Sequence, residues 1–184
     1  RIDVARLSPF LAALAKQGWW KSRTVLPQIA AQAALMIAGF VVLWGGVAVL
    51  NDAQYGVFMT NEFREGAFPK AYGALQRIEP PVWSRYMMFD ETVAAEAYGE
   101  SAAARELMPA FDGENGQMWR DIGCRALSLD PCPRAYARGW FMWALRDATL
   151  LAGHYKSEGE AQSYFVKLAG EIDAACDAGR IRCG

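Results

Sequence analysis

Histidine occurs once in this chain, at position 154, so any serine or cysteine nucleophile would have a single imidazole to serve as its base. Gly-rich phosphate loops, Walker patterns and clusters of metal-ligating residues are missing from the sequence, which removes the commonest nucleotide and metal chemistries. Cysteine is scarce as well: Cys124, Cys132, Cys176 and Cys183 are the full set, and neither short spacing matches the close pairs of a zinc site. No stretch alternates apolar and polar residues long enough to read as a sheet, and no repeat or low-complexity tract appears. We therefore assign no catalytic residue, no metal site and no cofactor. The balance favours a non-catalytic protein without deciding the matter.

What the sequence does hold is a long apolar run. Ile29 to Leu50 contains no charged residue, and Gln32 is its only strongly polar side chain. Such a run is long enough to cross a hydrocarbon core at about 1.5 Å per residue. Lys16, Lys21 and Arg23 precede it and Asp52 follows. The Lys/Arg bias puts the N-terminal side in the cytoplasm and everything after Leu50 across the membrane. A cleaved signal peptide is the rival reading, with Lys21-Ser22-Arg23 as its basic region. Against it, the run is longer than a usual signal core, and no convincing Ala-x-Ala site follows Leu50. Trp19 and Trp20 beside Lys21 and Arg23 form an interfacial anchor, because amphipathic rings favour the headgroup zone and cations favour the anionic leaflet. Within the span Ala30, Ala34 and Ala38 recur every four residues with Gly39 beside them, a small face that lets another helix approach closely. Other membrane helices or membrane-protein subunits, and the bilayer itself, are the expected partners.

Charge divides the chain further. Residues 1–28 carry five Lys/Arg against one Asp, whereas 51–184 carry fourteen against nineteen Asp/Glu. That acidic balance argues against a nucleic-acid partner. Val4, Leu7, Leu11 and Leu14 repeat at helical spacing ahead of the span, as in an amphipathic helix on the cytoplasmic face. The expected organisation is a cytoplasmic or interfacial segment over 1–28, a transmembrane helix over 29–50 and a soluble domain over 51–184. The chain opens on Arg1 in place of Met, and we expect it to be part of something longer.

The soluble part reads as all-α. Ala67 to Ile78 is a helix stopped by Glu79-Pro80-Pro81, since the residue before a proline is pushed out of helical geometry. Asp90 suits an N-cap for Glu91 to Tyr98, and Ser101 one for a turn ending before Pro109. Gly116 to Cys124 forms a further helix. Pro133 to Gly153 carries Trp140, Phe141, Ala144, Leu145, Ala148 and Leu151 as a stripe to be buried. Arg138, Arg146 and Asp147 keep it from being a second span. Arg146-Asp147 is either an ion pair within the fold or a binding feature, and the fold is the stronger explanation. Ser157 with Glu160 makes a capping-box pattern. Phe165, Leu168, Ile172 and Cys176 form the inner face of that last helix, and Gly179 supplies its left-handed end. The last two helices are expected to form an antiparallel hairpin turning at His154 to Lys156.

All four cysteines lie beyond the span, as suits an oxidising compartment. Three pairings are open to four cysteines. We favour Cys124 with Cys132 and Cys176 with Cys183, because each pair brackets a short turn-bearing segment. The stretches Arg77-Ile-Glu-Pro80, Trp83-Ser-Arg-Tyr86, Gly139 to Asp147, and Glu171 to Arg180 with Cys183 resemble the C-terminal extracytoplasmic region of uncharacterised proteobacterial inner-membrane proteins. The resemblance implies a bacterial inner membrane and a periplasmic domain, with 29–50 as the last of several spans, and it brings no catalytic residues. Two functions fit: a non-catalytic membrane-anchored subunit or assembly element of an inner-membrane complex, or the periplasmic C-terminal part of a larger polytopic envelope enzyme acting on lipid-linked or sugar substrates.

Overall fold

The computed structural model describes residues 25–184. Trp19, Trp20, Lys21 and Arg23, and most of the amphipathic segment expected over 1–28, lie outside the described residues. The remainder is all-α apart from one two-stranded ribbon.

The first described helix, α1, runs Val25–Tyr55, with Pro27 in its first turn, where its missing N–H costs nothing. It contains the expected 29–50 run and extends beyond both ends of it. The span candidate Leu26–Tyr55 has 30 residues, about 45 Å of helix, of which the apolar 29–50 run supplies about 33 Å against a hydrocarbon core of about 30 Å. Among the described residues this is the one helix long and apolar enough to cross a membrane. Gly56, at φ +74°, ends it, its N–H donating to the Asp52 carbonyl at 2.9 Å.

The chain divides into two compact units, one ending at Val47 and the other Ala48–Gly184. The second unit holds α2 (Phe68–Arg77), β1 (Met87–Met88), α3 (Glu91–Glu100), α4 (Ala102–Glu106), α5 (Met108–Asp112), α6 (Glu114–Leu127), β2 (Tyr136–Ala137), α7 (Arg138–Leu151) and α8 (Glu158–Asp177). Local chemistry sets most of these ends. Asp90 accepts from the amides of Thr92 and Val93, both at 2.9 Å, and so caps α3. Ser101 caps α4 through Ala104 N–H at 2.9 Å. Ser157 caps α8 through Glu160 N–H at 3.1 Å. Only that half of the expected capping box forms, for the Glu160 carboxylate faces Lys156 Nζ at 3.9 Å. At the other end of α8, Arg180 N–H meets Ala175 O and Gly179 N–H meets Cys176 O, each at 3.0 Å. This is the paired closure that a left-handed residue permits, and Gly179 sits at φ +66°.

Packing departs from expectation in three ways. The last two helices are not each other's main partners: α8 lies chiefly against α2, and α7 against α6. The helix expected from Pro133 starts only at Arg138, because Tyr136 and Ala137 are drawn into an antiparallel ribbon with Met88 and Met87. Leu151 is 62% exposed while Phe141, Ala144, Leu145 and Ala148 are fully buried, since the helix stops there and the chain turns through Gly153 at φ +86°. The core centres on aromatic rings. Phe141 stacks on Phe89 at 4.6 Å and on Phe111 at 5.8 Å, and Phe68 meets Phe165 edge-on at 5.0 Å. Phe89 holds a left-handed φ of +51°, a local cost of about 1–2 kcal/mol, which its nearly complete burial offsets.

Both expected disulfides are present. Cys124 is bonded to Cys132, with Cα atoms 5.6 Å apart, and Cys176 to Cys183 at 5.5 Å. The second bond does more than tie a helix end. It holds the C-terminal strand of residues against the exit of α2, where Ile78 bridges Cys183 and Gly184 N–H donates to Arg77 O at 2.9 Å.

Candidate functional site

A cleft of about 630 Å³ opens between α3, the α5–α6 corner and the segment 132–136. Phe89, Phe111 and Tyr136 form its apolar floor. Its polar wall comes from Gln117, Arg120 and Asp121, which the helical spacing of three and four residues puts on one face of α6. Arg120 is fixed from below: Nη1 donates to Phe111 O at 2.9 Å and to the Tyr136 hydroxyl at 3.1 Å. The Tyr136 hydroxyl in turn donates to Phe111 O at 2.8 Å. Gly116 makes this knot possible, because a Cβ there would stand 1.7 Å from Phe111 O. Burial pushes the Tyr136 phenol up to about 12, with the neighbouring Arg120 guanidinium opposing.

Tyr98 also lines the cleft, and its buried hydroxyl meets no hydrogen-bond partner among the described residues. Burial raises its pKa above the ordinary tyrosine value, and the negative charge of Asp112 adds to the effect. At the rim Arg134 Nη1 pairs with Glu91 Oε1 at 2.8 Å, a contact that solvent screens because both side chains are exposed. Cys132 and Pro133 belong to the same rim, so the Cys124–Cys132 disulfide fixes one wall. Carboxylates outnumber cations here: Asp90, Glu91, Asp112 and Asp121 against Arg120 and Arg134. The arrangement suits polar contacts with a small guest.

A second polar cluster fastens the segment after α1 to α7 and to the turn that follows it. Glu62 accepts from Arg146 Nε at 3.1 Å and, through its other oxygen, from the Tyr155 hydroxyl. The Arg146 guanidinium also lies 5.0 Å from the centre of the Tyr155 ring. Next to it Glu158 accepts from Gln162 at 2.9 Å, and burial raises the Glu158 carboxyl above its ordinary value. Arg146 and Asp147, adjacent in sequence, do not pair with each other. Asp147 instead accepts from the Trp119 indole at 2.9 Å.

His154 is more committed than a surface turn residue. Its Nε2 lies 2.8 Å from Glu106 Oε2, and its ring stacks on Tyr164 at 3.9 Å. Its partner is a carboxylate, and every cysteine is in a disulfide, so no thiol–imidazole pair forms. Among the described residues no three His, Cys, Asp or Glu side chains converge as metal ligands. Ala30, Ala34, Ala38 and Gly39 are exposed on α1, and a Cβ on Gly39 would meet nothing within 4 Å.

Sequence reasoning missed Tyr98, Asp112, Arg120 and Asp121 as neighbours. The polar triplet on α6 was the available signal, but its meeting with Tyr98 depends on three separated segments. No protein-family model matches the chain, and neither does any curated protein or solved structure.

Proposed function

We propose that the chain is a non-catalytic, membrane-anchored subunit or assembly element of a bacterial inner-membrane complex. Its N-terminal side is cytoplasmic and its disulfide-bonded domain periplasmic. The observation that carries this reading is α1. Of the 18 residues in its most apolar stretch only 6% are buried, and water is a poor solvent for so much apolar surface. The Ala30, Ala34, Ala38 face with Gly39 supplies the close-approach surface that helix pairing in lipid requires. Two disulfides suit an oxidising compartment, and the basic residues before the span orient it. The ionisable groups of the second unit mostly serve the architecture: Glu62 with Arg146, Arg77 with Asp173, Arg180 with Glu100 and Glu79 with Arg182.

Purification in mild detergent followed by mass measurement tests the reading. The wild-type chain is expected in a complex, and Ala34→Leu should weaken that association by filling the small face. An isolated wild-type monomer would end the subunit reading. The cleft beside Tyr98 favours a second reading, that the domain is the periplasmic end of a larger polytopic envelope enzyme taking lipid-linked or sugar substrates, with its reactive groups elsewhere in that protein.

A further inference from the structure

Between α2 and β1 the chain displays the side chains that a folded domain ordinarily hides. Val82 is 78% exposed, Trp83 72% and Tyr86 54%. Pro80 and Pro81 stiffen the approach to them. The base of this segment is held firmly: Glu79 N–H donates to Arg182 O at 2.9 Å, and Arg138 N–H donates to Tyr86 O at 2.9 Å. Ser84 Oγ accepts from Met87 N–H at 3.3 Å, and Arg182 reaches Pro80 O at 3.3 Å. The tip is thus supported at its base, and the cleft beside Tyr98 does not include its residues. Arg85 belongs to it as well. Its guanidinium carbon lies 5.5 Å from the centre of the Tyr86 ring, and it has no carboxylate partner among the described residues.

We propose that Val82, Trp83, Arg85 and Tyr86 insert into the headgroup region of the bilayer that α1 crosses, giving the domain a second lipid contact. The proposal rests on reading α1 as a membrane span. Tryptophan and tyrosine combine an apolar ring with a polar edge and favour that zone, and an arginine beside them meets lipid phosphate. An exposed tip held only at its base suits a fluid surface that closes around it, whereas a rigid protein partner would have to supply a matching pocket. Attachment to α1 makes the contact in effect intramolecular, so that a small apolar area suffices to hold it.

The test uses the full chain in vesicles of phosphatidylethanolamine and phosphatidylglycerol, with and without phosphatidylcholine brominated near the headgroup. Emission of the wild type minus that of Trp83→Phe isolates Trp83, and the same subtraction with Trp44→Phe reports on α1. Trp83 is exposed, so its replacement by phenylalanine leaves the fold intact. Brominated lipid should lower the Trp83 difference emission by roughly half or more, and acrylamide in the water should quench it little, as for a ring in the interfacial zone. Arg85→Glu should reduce the lipid quenching. A Trp83 signal open to acrylamide and untouched by brominated lipid, with the Trp44 signal quenched, overturns the insertion and leaves the membrane span standing. Protection from acrylamide without lipid quenching assigns the tip to a protein contact and equally overturns it. A Trp44 signal insensitive to lipid removes the span, and the proposal with it.

Discussion

Ser101 is fully buried, and its hydroxyl works in two directions. It accepts from Ala104 N–H at 2.9 Å and donates to Glu171 Oε2 at 2.7 Å, while the same carboxylate oxygen accepts Ala103 N–H at 2.9 Å. The start of α4 is therefore hung on α8 through one serine and one carboxylate. Ser101→Ala removes the cap, worth about 1 kcal/mol, and leaves a buried amide without an acceptor, worth about 1–3 kcal/mol more. The expected loss is about 2–4 kcal/mol. For the 137 residues of Ala48–Gly184 an unfolding entropy of about 2.1 cal/mol/K per residue turns that into a fall of roughly 7–14 °C in midpoint. Thermal unfolding of the full chain in detergent, followed by near-ultraviolet circular dichroism, reads it directly. Glu171→Gln keeps an acceptor and loses the charge, so its effect at neutral pH should be smaller. The hydrogen bonds from Ala103 and Ser101, with Lys167 nearby, outweigh burial and hold the Glu171 carboxyl below its ordinary 4.5. A depressed folded value means that the charge contributes stability above the unfolded pKa and that this is lost as pH falls through the folded one. The gap between wild type and Glu171→Gln should accordingly be full at neutral pH and shrink once pH drops below about 4.5. A Ser101→Ala midpoint within about 2 °C of wild type, or a gap that widens on acidification, would refute the linkage of α4 to α8.

Replacing Cys176 and Cys183 by serine opens a loop spanning 7 positions, and the chain-entropy account puts the loss at about 2.5 kcal/mol; denaturant midpoints under non-reducing conditions will check it. Glu62→Ala strands the Arg146 guanidinium and the Tyr155 hydroxyl together, and should cost about 2–3 kcal/mol in the same measurement. His154→Ala should leave complex formation intact while lowering stability by about 1 kcal/mol through loss of its stacking on Tyr164; loss of a measurable activity instead would favour the enzyme reading. A periplasm-dependent reporter fused after Gly184 should be active, and activity of a cytoplasm-dependent one at that position contradicts the orientation.

Interactions that close over a few residues were legible in the sequence. The Asp90, Ser101 and Ser157 caps and the left-handed Gly179 each satisfy backbone groups within one turn of helix, so residue identity alone announces them. The two disulfides follow the same logic, with partners 8 and 7 positions apart. What remained hidden is long-range partner choice. The apolar stripe on α8 says that it must be buried and not against what, because hydrophobic burial is non-directional; it finds α2, whose Phe68 meets Phe165 across nearly a hundred positions. The ribbon escaped for a different reason, since strands of two residues cannot show alternation. It nonetheless moved the start of α7 by five residues.

The same distinction bears on where function resides. Arg146 and Asp147 looked like a pair in sequence, yet each has a separate partner in the fold, Glu62 and the Trp119 indole, and so each is accounted for by architecture. Arg77 reaches both Asp173 and Asp177, joining α2 to α8 by the same kind of cross-tie. Subtracting such groups leaves few side chains whose chemistry the domain does not consume. Val82 and Trp83 leave apolar surface uncovered, Tyr98 carries a buried hydroxyl without a partner among the described residues, and α1 exposes a small-residue face. A stable domain gains nothing from any of the three. By our proposals each would become favourable once covered from outside the described chain: lipid at the Trp83 tip, another helix along Ala30, Ala34 and Ala38, a polar guest above Tyr98. Two of those three proposed coverings are membrane events, and that asymmetry is why we propose a subunit at the bilayer before an enzyme acting alone.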